Sequence, residues 1–197
     1  FTRFLGKIAE ITDQGIPVYF FTGNHDIWVF DYLPQETGVI VKRDRVIEDI
    51  HGKKLFIAHG DGLGPEDKGF KRMKKVFTNK LAIWLFARIH PNFAVKFAHK
   101  WSIHNRIAKG NYHKEFRGEE EWLIKYARRK LKTETFDFFI FGHRHLPFDF
   151  RLNENSRIIN LGDWIEHFSY AVMDKDGTLS LKIYNNTGKK DQTIKPT

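Results

Sequence analysis

The sequence predicts an α/β fold carrying a helical insertion. Apolar runs of strand length recur along the chain, and three of them stop abruptly at polar clusters rich in Gly, His and Asp. The block 65–132 reads as helices throughout. Strand-like runs then resume and continue almost to the end.

The elements follow in order. Phe4, Leu5, Ile8 and Ile11 fall on one helical face, and Gly15 and Pro17 end that helix. This helix is already under way at Phe1, with no methionine or signal-peptide pattern before it, so the chain is expected to be cut from something longer. Residues 18–21 read as a buried strand running into Thr22-Gly23-Asn24-His25-Asp26. Residues 39–41 and 46–50 are further strands, and His51-Gly52 is a turn. Residues 54–58 form an apolar strand ending in His59-Gly60-Asp61. After the helical block, residues 136–141 lead into Gly142-His143-Arg144-His145. Strands over 148–152, 158–161, 170–173 and 179–184 complete the pattern, and the polar tail from residue 188 is expected to fray. In layered α/β folds the edge where strands end is where sites are built, because strand ends hold short loops rigidly.

Composition narrows the chemistry. The 197 residues suit one domain, 1–197, with the block 65–132 as a helical cap. The absence of cysteine excludes a disulfide framework, a zinc–thiolate site and a cysteine nucleophile. No apolar run approaches the roughly 18 residues of a membrane-spanning helix. Charge is segregated: between Gly64 and Lys132 there are 18 Lys and Arg against 6 Asp and Glu, a net of +12 in a chain of +9 overall. The same block holds 11 of the 30 aromatic residues. It is either a solvated basic face over an aromatic core or a surface for an anionic, partly apolar partner.

The three polar clusters suit metal chemistry. Neutral imidazole and amide oxygen are ligands for Mn²⁺, Fe²⁺ or Zn²⁺, and glycine beside each ligand lets the backbone turn sharply toward an ion. Alternate residues at a strand end, as in His143-Arg144-His145, can direct two imidazoles to one loop centre. A lone His-x-His is weak evidence; three clusters, each following an apolar strand, are strong.

Gly23-Asn24-His25-Asp26, His59-Gly60-Asp61 and Gly142-His143-Arg144-His145 resemble, in order, the last three signature motifs of the calcineurin-like metallophosphoesterases. That resemblance implies a four-layer α/β sandwich with two divalent ions, Mn²⁺ first among the candidates and Fe²⁺ or Zn²⁺ next. Asn24, His59 and His143 would bind one ion and His145 the other. The family's two earlier motifs, which supply the bridging Asp, would lie upstream of Phe1. His25 matches the catalytic His, with Asp26 orienting its imidazole.

The stretch from His59 to Phe70, together with Leu161-Gly162-Asp163-Trp164, is similar to the UDP-2,3-diacylglucosamine diphosphatase family of lipid A biosynthesis. In that family a helical insertion follows the ligand His. The implied reaction splits UDP-2,3-diacylglucosamine into UMP and lipid X, and the implied location is the cytoplasmic side of a Gram-negative inner membrane, as a peripheral protein. One departure stands out: proteobacterial members carry Arg where this chain has His25. Asp67 matches an acidic substrate-side position. Ser102, Asn105, Arg106 and Lys109 form a polar stripe at i, i+3, i+4 and i+7, where Arg and Lys could hold the diphosphate. Trp84, Phe86, Phe93, Phe97 or Trp101 is expected to contribute to the wall of an apolar chamber for acyl chains, with Arg106 and Lys109 nearer the metals. Competing readings are a metallophosphoesterase nuclease, whose aromatics would stack bases, and a non-catalytic interaction module. Apolar runs such as 81–87 suit acyl chains better than a wet nucleic-acid groove, and the retained ligand positions favour an enzyme.

Overall fold

A computed structural model describes residues 1–63, 68–97, 99–100, 115–187 and 190–197, without the side chains of 68–70. Among the described residues the architecture is mixed α/β with three sheets. Helix α1 (Thr2–Asp13) leads to strand β1 (Tyr19–Phe21). Helix α2 (Tyr32–Thr37) precedes β2 (Ile40–Lys42), β3 (Val46–Ile50) and β4 (Lys53–Ala58). Helices α3 (Lys68–Phe77) and α4 (Lys80–Phe86) follow, residues 91–97 are helical (α5), and α6 covers Trp122–Leu131. Strands β5 (Phe138–Phe141), β6 (Phe148–Arg151), β7 (Arg157–Asn160), β8 (Ser169–Met173), β9 (Leu179–Ile183) and β10 (Gln192–Ile194) complete the chain.

The central sheet has the order β3-β4-β5-β7-β6, with β4, β5 and β7 mutually parallel. Its two faces are written in strict alternation. Phe56, Phe139, Phe141 and Ile158 point to one side and pack under Leu123, Ile124 and Ala127 of α6. Leu55, Phe138 and Ile159 point to the other and pack on Leu179 and Leu181 of the three-stranded sheet β10-β9-β8. A helix layer and a second sheet thus enclose the central strands. Strands covered on both faces by other layers need apolar residues at every position, hence Phe138-Phe139-Ile140-Phe141. Strand β1 pairs in parallel with β2 in a separate two-stranded sheet.

Two local expectations are corrected, and one helix was not anticipated. The block 65–132 is not helical throughout: residues 115–117 are irregular, and a 3₁₀ turn, Gly118–Glu120, precedes α6. Helix α2 has no apolar periodicity to announce it, but Gly38 caps it in the left-handed conformation, its N–H bonding Pro34 O. The tail beyond 188 does not simply fray. Strand β10 pairs with β9, and Thr197 exchanges backbone hydrogen bonds with Asp149 and Arg151 beside β6. Exposed strand edges offer unpaired N–H and C=O groups that even a polar segment can satisfy.

Candidate metal centre

The parallel strands β4, β5 and β7 end on the same edge of the sheet, and the polar clusters sit there. His59 follows β4 directly. Gly142-His143-Arg144-His145 follows β5, and Leu161-Gly162-Asp163 follows β7. The loop after β1 brings in Asn24 from the separate two-stranded sheet.

Three side chains from three loops meet at one point. Asn24 Oδ1 lies 3.3 Å from His59 Nε2 and 3.1 Å from His143 Nδ1, and these two nitrogens are 3.3 Å apart. Adjacent ligands of one ion with bonds of about 2.0–2.2 Å are separated by roughly 3 Å, so the triangle has the size of one face of a coordination shell. Burial holds the His59 imidazole below its ordinary pKa, against the opposing pull of Asp61 and Asp26. A neutral imidazole keeps a lone pair for coordination. Two imidazoles and an amide oxygen fit a borderline divalent cation in both chemistry and spacing. Among the described residues no group of three or more His, Cys, Asp or Glu is arranged to hold a metal ion, and the triangle has two imidazoles and the Asn24 amide oxygen.

Packing makes the triangle specific. A Cβ on Gly23 would stand 2.6 Å from Cε1 and Nε2 of His59, so the imidazole needs a bare backbone there. Asp26 Oδ1 accepts the Gly23 N–H at 2.5 Å and closes the loop that presents Asn24. The carboxylate expected to orient His25 is thus engaged with the turn itself, while His25 is exposed on the loop. His143 lies edge-on to His59, with ring centroids 5.2 Å apart, and to Trp122 at the start of α6, at 6.0 Å.

His145 faces Asp163, Nδ1 to Oδ2 3.7 Å, and its charge also acts on His59. Burial opposes ionisation of Asp163, but backbone N–H groups of His167, Glu166 and Ile165 converge on Oδ1. With the His167 side chain they hold the carboxyl well below the usual carboxylate range. Asp163 was visible in the sequence only as part of the Leu161-Gly162-Asp163-Trp164 stretch; nothing local marks it as a partner of His145. Asp61 was likewise unassigned, and its buried carboxylate pairs with Lys74 of α3 at 3.0 Å. Asp67, Ser102, Asn105, Arg106 and Lys109 lie outside the described residues, as does Trp101.

The helical segment meets the site through Trp28. Its indole N–H donates to Phe77 O at 2.7 Å, and its ring packs on Phe77 and Phe86, with centroids 6.2 and 4.8 Å apart. Beside it is a cavity of about 270 Å³ with Ile27, Phe30, Phe77 and Ile83 in its wall and Arg43 and Lys74 at its polar side. Of the aromatics expected in such a wall, Phe86 reaches Trp28. Ile83 and Phe86, three residues apart, turn toward Trp28, which leaves Trp84 exposed under the Arg88 guanidinium. Phe93 and Phe97 are exposed as well.

No family model matches the chain. It is 40% identical over 190 residues to the UDP-2,3-diacylglucosamine hydrolase of Porphyromonas gingivalis, covering 88% of this chain and 71% of that protein. It is 30% identical over 171 residues to the protein of that name from Photobacterium profundum, covering 85% and 69%. The Haemophilus influenzae protein of the same name is 28% identical over 173 residues, covering 86% and 70%.

Proposed function

The chain belongs to the UDP-2,3-diacylglucosamine hydrolase family, and on that premise we propose that it hydrolyses the pyrophosphate of UDP-2,3-diacylglucosamine. Water adds to one phosphorus, the bridging P–O bond breaks, and UMP and the acylated sugar phosphate leave. The observation that carries this reading is the triangle of Asn24 Oδ1, His59 Nε2 and His143 Nδ1, with edges of 3.1–3.3 Å, at the sheet edge where parallel strands end. The layering of α6, the central sheet and the β8–β10 sheet supports a calcineurin-like sandwich.

Asn24, His59 and His143 would hold one divalent ion, Mn²⁺ first among the candidates, and His145 would belong to a second. Bound there, such ions polarise phosphoryl oxygens and lower the pKa of a water molecule. His25, exposed on the turn closed by the Gly23–Asp26 hydrogen bond, would donate a hydrogen bond or a proton toward the phosphate or its leaving oxygen. Arg106 and Lys109 would hold the diphosphate.

The apolar cavity beside Trp28 supports an acylated substrate, since each buried CH₂ contributes about 0.8 kcal/mol. Exposed Leu81, Trp84, Leu85, Phe93 and Phe97, interleaved with Arg88 and Lys96, support peripheral binding to the cytoplasmic face of the inner membrane. Among the described residues no helix is long and apolar enough to cross a membrane.

The test is hydrolysis with Mn²⁺, comparing UDP-2,3-diacylglucosamine, a UDP-sugar without acyl chains, and single-stranded DNA. Preference for the acylated substrate, abolished by EDTA and restored by Mn²⁺, is expected. Equal turnover of both sugars would refute the acyl reading, and preferential cleavage of DNA would establish a nuclease instead.

A further inference from the structure

We propose that Arg144 is a positioning residue: paired with Glu121, it locks the loop after β5 in the conformation that carries His143 into the Asn24–His59–His143 triangle. The inference rests on the metal reading above. His143 and His145 both have left-handed backbone conformations, with φ of 60° and 54°. Residues other than glycine seldom adopt this region, and two in three consecutive positions persist only where the surroundings over-determine them. Arg144, between them, sends its side chain the opposite way, into the protein. It is 1% exposed and its partner Glu121 is fully buried.

The contact is a two-pronged fork. Arg144 Nε donates to Glu121 Oε2 at 3.1 Å, and Nη2 donates to Oε1 at 2.9 Å and to the Glu115 carbonyl at 2.6 Å. Glu121 is itself held, since Oε1 also accepts the Arg117 N–H at 3.2 Å. Glu121 stands at the N-terminal boundary of α6, and the next residue is Trp122, whose ring meets His143. The helix that roofs the core is thereby fastened to the loop on both sides of the imidazole. A buried ion pair stabilises a fold no better than well-packed apolar residues of similar volume. Its directional fork, which a lysine cannot reproduce, is suited to fixing an orientation.

The experiment replaces the pair with apolar residues in the full chain, as the double variant Arg144→Met/Glu121→Met. Two readouts follow: the Kd for Mn²⁺, and the imidazole ¹⁵N resonances of His59 and His143 in the metal-free protein. We expect a folded protein whose Kd for Mn²⁺ rises about 10–100-fold, the usual range for residues behind metal ligands, and whose His143 and His59 resonances shift. A folded double variant with both readouts unchanged overturns the proposal. If the double variant does not fold, Glu121→Gln, which leaves Arg144 a neutral acceptor, is judged on the same two readouts. Failure of the unaltered chain to bind Mn²⁺ would overturn the metal reading, and the metal-free resonances would still decide the role of Arg144.

Discussion

Gly23 shows how much a missing side chain can matter. Its carbon-free face lies against the His59 imidazole, and any Cβ would approach ring atoms at 2.6 Å, closer than real contacts allow. The backbone there is not left-handed, so an alanine suffers from crowding rather than backbone strain. Gly23→Ala should therefore fold normally yet displace His59 from Asn24 and His143, weakening Mn²⁺ binding at least tenfold in a calorimetric titration. Gly6→Ala is the control. Nothing lies within 4 Å of its Cβ, and alanine in the helix α1 should add up to about 1 kcal/mol of stability without touching metal affinity. Unchanged Mn²⁺ affinity in Gly23→Ala would mean that the triangle is not the binding site.

At the level of elements, the decisive joint lies between the Gly23–Phe30 loop and the α3–α4 pair. Trp28 makes it with one hydrogen bond and two aromatic contacts, and Arg43 braces the loop by donating to the carbonyls of Ile27 and Val29. Helices α3 and α4 have 10 and 7 residues, and α4 buries none of its side chains fully, so neither is stable without such a partner. Trp28→Ala should speed hydrogen exchange of the α3 and α4 amides strongly while leaving α6 and β5 protected, because their core lies elsewhere. Equal protection of α3 and α4 in both proteins would show that the joint is not Trp28. Substrate affinity should weaken in the same variant if the neighbouring cavity receives an acyl chain.

Over the whole molecule the charges are divided. The segment from Gly64 to Lys132 carries +12 and the remainder −3, and the basic part is also where Leu81, Trp84, Phe93 and Phe97 stand exposed. Paired aromatic and cationic groups bind a lipid surface by partial burial and by attraction to anionic headgroups. The attraction is screened as the Debye length falls from about 10 Å at 0.1 M salt to roughly 3 Å at 1 M. Sedimentation with vesicles should show binding to phosphatidylglycerol-containing membranes that weakens several-fold as salt is raised. Binding that is indifferent to lipid charge and to salt would dissociate the basic segment from any membrane role.

Much of this was written locally. The unbroken apolar runs Leu55-Phe56-Ile57-Ala58 and Phe138-Phe139-Ile140-Phe141 report a two-faced burial directly, because successive side chains of a strand point to opposite sides. Gly-Asn-His and Gly-His-Arg-His at strand ends, in that order, mark a site in the sequence itself. The tertiary structure alone brought Asn24, His59 and His143 within 3.3 Å of one another and set His145 against Asp163. It alone joined Arg144 to Glu121 across 23 residues and paired a polar tail with β9. The physical reason is range. Apolar periodicity records burial of a residue by its own strand or helix, whereas a buried polar group is satisfied by whichever partner the folded chain delivers, and that partner's position is not written near it in sequence.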